Sequence, residues 1–286
     1  MFGAFLIGFA TLAEEIGSSV SKYTIAHHKE RPYSMAFVAH LAGLIGIVTI
    51  GTLLPAHFFA PNFPSGFTFS SASLPTLIPR IVLEMAQAHV AIFAVVLASR
   101  STFSFIRILT IPLLLAVDFV LGYALGYAQV VGITLIILAL VFLFRNHGIE
   151  KRGAGLVLFT AVNAVLTISL FKYNIAHFNS VEAEAGITLV VLTLYFFVLA
   201  IAKKERLSRH MLHPSLLLQF VSGSIATIAF SFAFLYMPPS IATAGKRALS
   251  SLWALGAGAV YFKERHILVK AAALCGLILG LVLLAL

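Results

Sequence analysis

The sequence predicts an all-helical integral membrane protein of ten transmembrane helices arranged as two inverted five-helix repeats. Three observations carry that prediction. The 286 residues are 60% hydrophobic and 10% charged, with a mean hydropathy of +1.04, too much apolar surface for a soluble fold. The apolar residues come in runs of about 20, the length a helix needs to cross a bilayer, rather than in ten-residue alternating units of a barrel. The chain also repeats itself: a shift of 150 residues lays Lys22-Tyr23-Thr24-Ile25-Ala26-His27 on Lys172-Tyr173-Asn174-Ile175-Ala176-His177, with five of six residues identical. Residues 1–150 form the first repeat and 151–286 the second. Because five spans is an odd number, the second repeat should be inverted in the membrane.

The spans follow in order. The first, residues 3 to 24, carries Glu14 and Glu15 and has neither a basic n-region nor a small-residue cleavage site, so it reads as a retained span. The second covers 33 to 58 and is followed by an uncharged Pro/Ser/Gly loop from Ala60 to Ser73. The third, fourth and fifth cover 77 to 98, 102 to 121 and 127 to 144. In the second repeat, spans cover 153 to 173, 184 to 202, 214 to 236, 240 to 261 and 267 to 286.

Loop charge tests the inversion, since equivalent loops of inverted repeats lie on opposite sides of the bilayer. Lys29, Glu30 and Arg31 follow the first span, whereas Glu182 and Glu184 follow the sixth. The second loop is uncharged, but Lys203-Lys204-Glu205-Arg206 with Arg209 follows the seventh span. Arg100 and Arg107 follow the third, against Tyr236-Met237-Pro238-Pro239 after the eighth. The stretch from Leu121 to Gln129 is uncharged, whereas Lys263-Glu264-Arg265-His266 with Lys270 follows the ninth. The positive-inside rule then puts the loop after the first span in the cytoplasm and both termini outside an inner cell membrane. The net charge of +9 is therefore read as loop bias, with no nucleic-acid partner. Cys275 stands alone, so no internal disulfide or thiolate cluster is expected. His27, His28, His147, His177, His210, His213 and His266 lack metal-site spacing, and no metal or cofactor is expected.

Glu14 and Glu15 are the first candidate functional residues. An ionised carboxylate in mid-membrane costs about 2.5 to 3.5 kcal/mol on insertion scales, so such groups face protein or a water-filled cavity and handle protons, ions or substrate. Adjacent helical residues diverge by about 100°, so the two cannot share one direction. Ser18 lies on the Glu14 side. Glu15 reads equally as polar glue paired with a basic residue. Lys246 and Arg247, nearly two turns inside the ninth span, would either neutralise these acids or hold a carboxylate or phosphate on a substrate. Arg80 and Glu84 at i, i+4 form a self-neutralising pair, with Glu84, Gln87 and His89 also placed to line a cavity. Asp118 reads as interfacial.

Leu12-Ala13-Glu14-x-Ile16-Gly17-Ser18-x-x-x-Lys22-Tyr23 resembles the first-helix signature of the small multidrug resistance transporters, and Glu14 falls on that family's coupling carboxylate. Tyr236-Met237-Pro238-x-x-Ile241-Ala242-x-Ala244 is similar to the start of the third helix in the same family. Gly258, Phe262-Lys263-Glu264-Arg265 and the stretch from Gly276 to Gly280 resemble the last hairpin of the wider drug/metabolite transporter superfamily. Thr243 and Lys246 stand where the small multidrug transporters place an aromatic pair, and cationic residues there disfavour a lipophilic cation as substrate. The repeat puts Ala164 and Val165 opposite Glu14 and Glu15, so the acid occurs once.

The resemblance and the buried acid imply a secondary transporter of a small polar metabolite, coupled to protons by antiport at Glu14. Cavity-lining positions are Glu15, Ser18, Glu84, Gln87, Thr243, Lys246 and Arg247. A proton-independent exchanger of an anionic metabolite or lipid headgroup is the alternative, and a non-transporting scaffold or sensor subunit is the reading from another class. An enzyme is not expected, as neither H-E-x-x-H nor G-x-S-x-G occurs. The expected partners are a small-molecule substrate, protons and the lipid bilayer, and the state is a monomer or homodimer.

Overall fold

A computed structural model describes residues 2–28, 31–53, 66–120, 126–146, 149–205, 214–236 and 239–285. The described residues are helical apart from short turns: α1 (Phe2–His28), α2 (Pro32–Leu53), α3 (Leu74–Leu97), α4 (Arg100–Arg107), α5 (Thr110–Val120), α6 (Tyr127–Arg145), α7 (Ala154–His177), α8 (Val181–Ala202), α9 (Pro214–Tyr236), α10 (Pro239–Val260) and α11 (Ile267–Ala285). Six stretches of at least 18 residues, in α2, α3, α4–α5, α7, α8 and α9, are long and apolar enough to cross a membrane. Phe5, Val82, Leu138, Val198 and Val221 point outward from five different helices, as lipid-facing side chains do. The class is therefore a multi-pass, all-helical membrane protein. The side chains of His27, His28 and Asp118, and residues Lys29, Glu30, His147, Arg206, Arg209, His210 and His213, lie outside the described residues.

The expected fourth span is broken. It begins at Arg100 and divides at Ile108–Leu109, where hydrogen bonds tighten to the i→i+3 pattern: Leu109 N donates to Ile106 O and Ile111 N to Ile108 O. Pro112 explains the break, because it has no N–H for the carbonyl of Ile108 four residues back.

Beside two smaller ones around Phe103 and Phe220, two large apolar clusters dominate the core. One joins Ile7, Ile47, Phe171, Ile175, Leu189, Ile228 and Ala242, from α1, α2, α7, α8, α9 and α10. The other joins Phe105, Ile111, Ile136, Leu143, Leu274 and Leu277, from α4, α5, α6 and α11. Helix α10 touches both, with Ala242 in the first cluster and Ala244, Ala248 and Leu255 against the second. Its packing is thus a seam between two bodies of the core. Helix α1 lies along α9, where Gly17 lets the backbones close: a Cβ there would sit 2.9 Å from Ser222 Oγ and 3.3 Å from the Gln219 carbonyl.

The turns after α1, α3, α6, α8 and α10 gather at one end of the bundle. Arg31 donates to the Lys204 carbonyl (2.8 Å), Ser34 N to Glu205 (2.8 Å), Glu150 N to Thr102 Oγ1 (3.0 Å) and Arg100 N to Glu264 (2.6 Å). Residues 66–70 and the α7–α8 turn meet elsewhere, with Ser180 N donating to the Thr68 carbonyl and Ser70 N to Asn179 Oδ1. The first end exposes Arg31, Arg145, Lys151, Arg152, Lys203, Lys204, Lys263 and Arg265.

Five charges assigned to loops from sequence are not loop charges. Arg100 and Arg107 belong to α4, Glu182 and Glu184 to the first turn of α8, and Lys270 to α11. Arg100, Glu182, Glu184 and Lys270 are each no more than 1% exposed. They speak to packing inside the bundle rather than to its orientation.

Candidate functional site

The charged residues of α1, α4 and α10 meet where α10 crosses between the core clusters. On α1, Glu14 and Glu15 diverge as helical geometry requires. Glu14 forms an ion pair with Lys246 Nζ at 2.6 Å and lies 3.5 Å from an Arg107 nitrogen. Glu15 turns to Arg100 at 2.5 Å and accepts the Ser250 hydroxyl at 2.6 Å. Lys246 Nζ also lies 3.9 Å from the centroid of the Phe230 ring on α9. The guanidinium groups of Arg100 and Arg107 flank Phe103 at 5.9 and 5.1 Å. Ser104 of α4 contacts Ser250 and Ser251 of α10 at 3.3 and 3.1 Å, so the polar seam continues beyond the ion pairs.

The two ion pairs differ in how closed they are. The Arg100–Glu15 side chains are 1% and 9% exposed, while Lys246 and Glu14 are 12% and 24% exposed. Arg100 is further fixed because its backbone N–H, at the start of α4, donates to Glu264. That carboxylate also receives the Ser101 hydroxyl and Lys270 Nζ (3.0 Å), tying the α10–α11 turn to α4. Burial works to raise the Glu264 pKa, but the Ser101, Lys270 and Arg100 donors outweigh it and hold the carboxylate below its ordinary value of 4.5. A cleft of about 990 Å³ opens at this basic end, lined in part by Lys22, Lys151, Glu264 and Lys270. Glu14 and Glu15 of α1 are not among its lining residues.

Arg247 occupies a different position. It is 3% exposed, within electrostatic range of Glu14, Glu15 and Arg107, yet among the described residues no carboxylate lies within ion-pair distance of its guanidinium. Thr243, one turn earlier on α10 and fully buried, has a hydroxyl without a hydrogen-bond partner among the described residues. Ser18 is half-buried one turn along α1 from Glu14.

Helix α3 carries a second group of charges. Arg80 and Glu84 are 3.8 Å apart, but the shorter contact of Arg80 is to Glu184 of α8 at 2.8 Å, with Thr188 at 2.9 Å. The expected i, i+4 pair is present, and Arg80 also cross-links α3 to α8. Glu184 has two further donors, Asn174 at 2.7 Å and Asn179 at 2.6 Å, so its four-residue neighbourhood is closed. Gln87 accepts from Asn163 of α7 at 3.0 Å, and His89 meets the Tyr195 hydroxyl at 3.0 Å.

The structure therefore brings together Glu14, Glu15, Lys246 and Arg247, places Thr243 beside Arg247, and leaves Glu84 and Gln87 on the α3 side. Sequence reasoning missed Arg100, Arg107 and Ser250 as members of the central group. A signal was present: Arg100 and Arg107 are seven residues apart, two helical turns, and share a face once the helix is started at Arg100.

These features define a helical membrane protein with a charged group buried at the crossing of three helices. No protein-family model and no curated protein matches the sequence. A solved crystal structure, described only as that of a protein, shares the fold with a TM-score of 0.65 and 15% identity. The match covers 98% of this chain and 95% of that one.

Proposed function

We propose that the protein is a secondary transporter of a small polar metabolite, of the drug/metabolite transporter type, working by alternating access and coupled to protons at Glu14. The observation that carries this reading is the Glu14–Lys246 pair: an ion pair between α1 and α10, half-buried in the bundle and more open than its neighbour Glu15–Arg100. A pair that links two helices opens when they separate. An unpaired carboxylate in an apolar setting neutralises by taking a proton, so helix movement and proton uptake are linked at one bond.

The ten-span arrangement as two inverted repeats is part of this proposal. Its support is in the packing, where α1 lies on α9 as α7 lies on α3, α2 pairs with α8, and α6 with α11. The repeated lysines agree: Lys22 donates to the carbonyl of Ala98 at the end of α3, and Lys172 to that of Phe234 near the end of α9. With the basic end taken as cytoplasmic, both termini lie outside.

Glu14→Gln in proteoliposomes tests the role. Proton-driven uptake should be lost while substrate exchange down its own gradient persists; unchanged coupling would sink the assignment. The unpaired Arg247 favours the second reading, a proton-independent exchanger, which predicts pH-insensitive exchange by the unaltered protein. Absence of any flux by the purified protein would instead leave the scaffold reading.

A further inference from the structure

We propose that Thr243 and Arg247 form an oxyanion site, so that the transported substrate carries a carboxylate or phosphate. This rests on the transporter reading for the word substrate, but not for the existence of the site.

A guanidinium is almost never fully buried without a paired acid. Leaving it so in a bilayer is costly, and such residues mark substrate or ion pathways. The acids near Arg247 are already engaged: Glu15 holds Arg100 and Ser250, while Glu14 holds Lys246 and Arg107. Glu84 lies on the Arg80 side, 3.8 Å from that residue. With Glu84, which also lies within electrostatic range of Arg107, and the Arg80–Glu184 pair counted, four carboxylates face five cations, Arg80, Arg100, Arg107, Lys246 and Arg247, and the group has one positive charge to spare.

The unmatched charge sits beside an unmatched donor. Thr243 and Arg247 are four residues apart on α10, hence on one face, and Thr243 Oγ1 and Arg247 Nε are both buried without a hydrogen-bond partner among the described residues. A hydroxyl and a planar guanidinium one turn apart suit one ligand chemistry. The guanidinium forks onto two oxygens of a carboxylate or phosphate, and the hydroxyl donates to one of them or to a third. A cationic ligand would add charge to a group already positive, and a neutral one would leave Arg247 uncompensated. The two positions also lie on the helix that joins the core clusters, one turn or less from Lys246. An anion bound there would compete with Glu14 for Lys246 and so weaken the α1–α10 link that the transport cycle must break.

The test is an equilibrium measurement on the purified, full-length protein. Thermal unfolding is followed in detergent at constant ionic strength with inorganic phosphate, sulfate or acetate, against chloride as reference. The oxyanions should raise the unfolding midpoint of the unaltered protein. Arg247→Met should abolish that response, weakening apparent oxyanion affinity roughly 10- to 100-fold, the range for a charge-assisted hydrogen bond. Thr243→Val should weaken it several-fold. In chloride alone, Arg247→Met should leave the midpoint unchanged or higher, because it removes an uncompensated buried charge, whereas Lys246→Met should lower it. No oxyanion response in the unaltered protein, or an equal response in Arg247→Met, overturns the site. A lowered midpoint for Arg247→Met in chloride also overturns it, since the residue would then be structural. The transporter reading is separated by flux: a site that binds oxyanions without transport defeats that reading alone, while transport of a cation unaffected by Arg247→Met defeats the site alone.

Discussion

Replacing Glu15 by Gln should destabilise the protein far more than the same change at Glu14, although the two residues are adjacent. Glu15 faces Arg100 at 2.5 Å, and Arg100 is 1% exposed, with its Nε and one terminal nitrogen lacking any other partner. Glutamine keeps the shape and can still accept a hydrogen bond, but leaves the guanidinium without its counter-charge. Removing one member of a buried pair costs about 3 to 5 kcal/mol, most of it the penalty of the charge left behind. At roughly 2 to 4 °C per kcal/mol for a large domain, the midpoint should fall on the order of 10 °C. Arg100→Met in the Glu15→Gln background removes the stranded charge, so the double variant should recover much of the loss. The assay is thermal unfolding in detergent at one scan rate, read as a double-variant cycle. Additive losses, or a Glu15→Gln midpoint equal to that of Glu14→Gln, would refute the claim that Glu15 is the structural member of the pair.

Acid should weaken the link between α4 and the α10–α11 turn. The folded-state pKa of Glu264 is held below 4.5, so its contribution is complete above the ordinary carboxylate range and is lost as pH falls through the lowered value. Midpoints measured from neutral pH down through that range should fall more steeply for the unaltered protein than for Glu264→Gln; parallel curves would show that the carboxylate carries no such linkage. Gly153→Ala should cost about 2 kcal/mol or more, because Gly153 has φ +75° and an added Cβ would sit 2.8 Å from the backbone nitrogen of Ala98. Chemical denaturation comparing this variant with Gly155→Ala, where a Cβ meets nothing within 4 Å, checks it; equal losses would remove the steric explanation.

Hydropathy located most helices because a bilayer imposes their length and composition directly on the chain. It failed where charge and span coincide. Single arginines at the edge of an apolar run, such as Arg100 and Arg107, read as loop charge, yet both are neutralised by acids of α1 about 90 positions away. Glu184 was lost for the same reason, since its partner Arg80 lies on α3 and no local pattern connects them. The central pair fared better. Glu14 stands in a motif, Lys246 lies too deep to reach water easily, and the two signs invite pairing; their 2.6 Å contact is the geometry that charge balance favours. The partnerless state of Arg247 could not be read from sequence, because it depends on which acids its neighbours have already taken.

The adjacency of Glu14 and Glu15 has a mechanical meaning once their partners are known. Through Glu15, α1 is fastened to α4 by a nearly sealed pair, and through Gly17 it is packed closely on α9. Through Glu14 it reaches α10 by a more open pair. Glu15 also accepts the Ser250 hydroxyl of α10 at 2.6 Å, so α1 and α10 are joined by one closed contact and one more open one. Arg247 and Thr243, one helical turn from Lys246 or closer, lie beside that more open contact. The sealed acid fixes α1, and the half-buried acid beside it is the more accessible of the two.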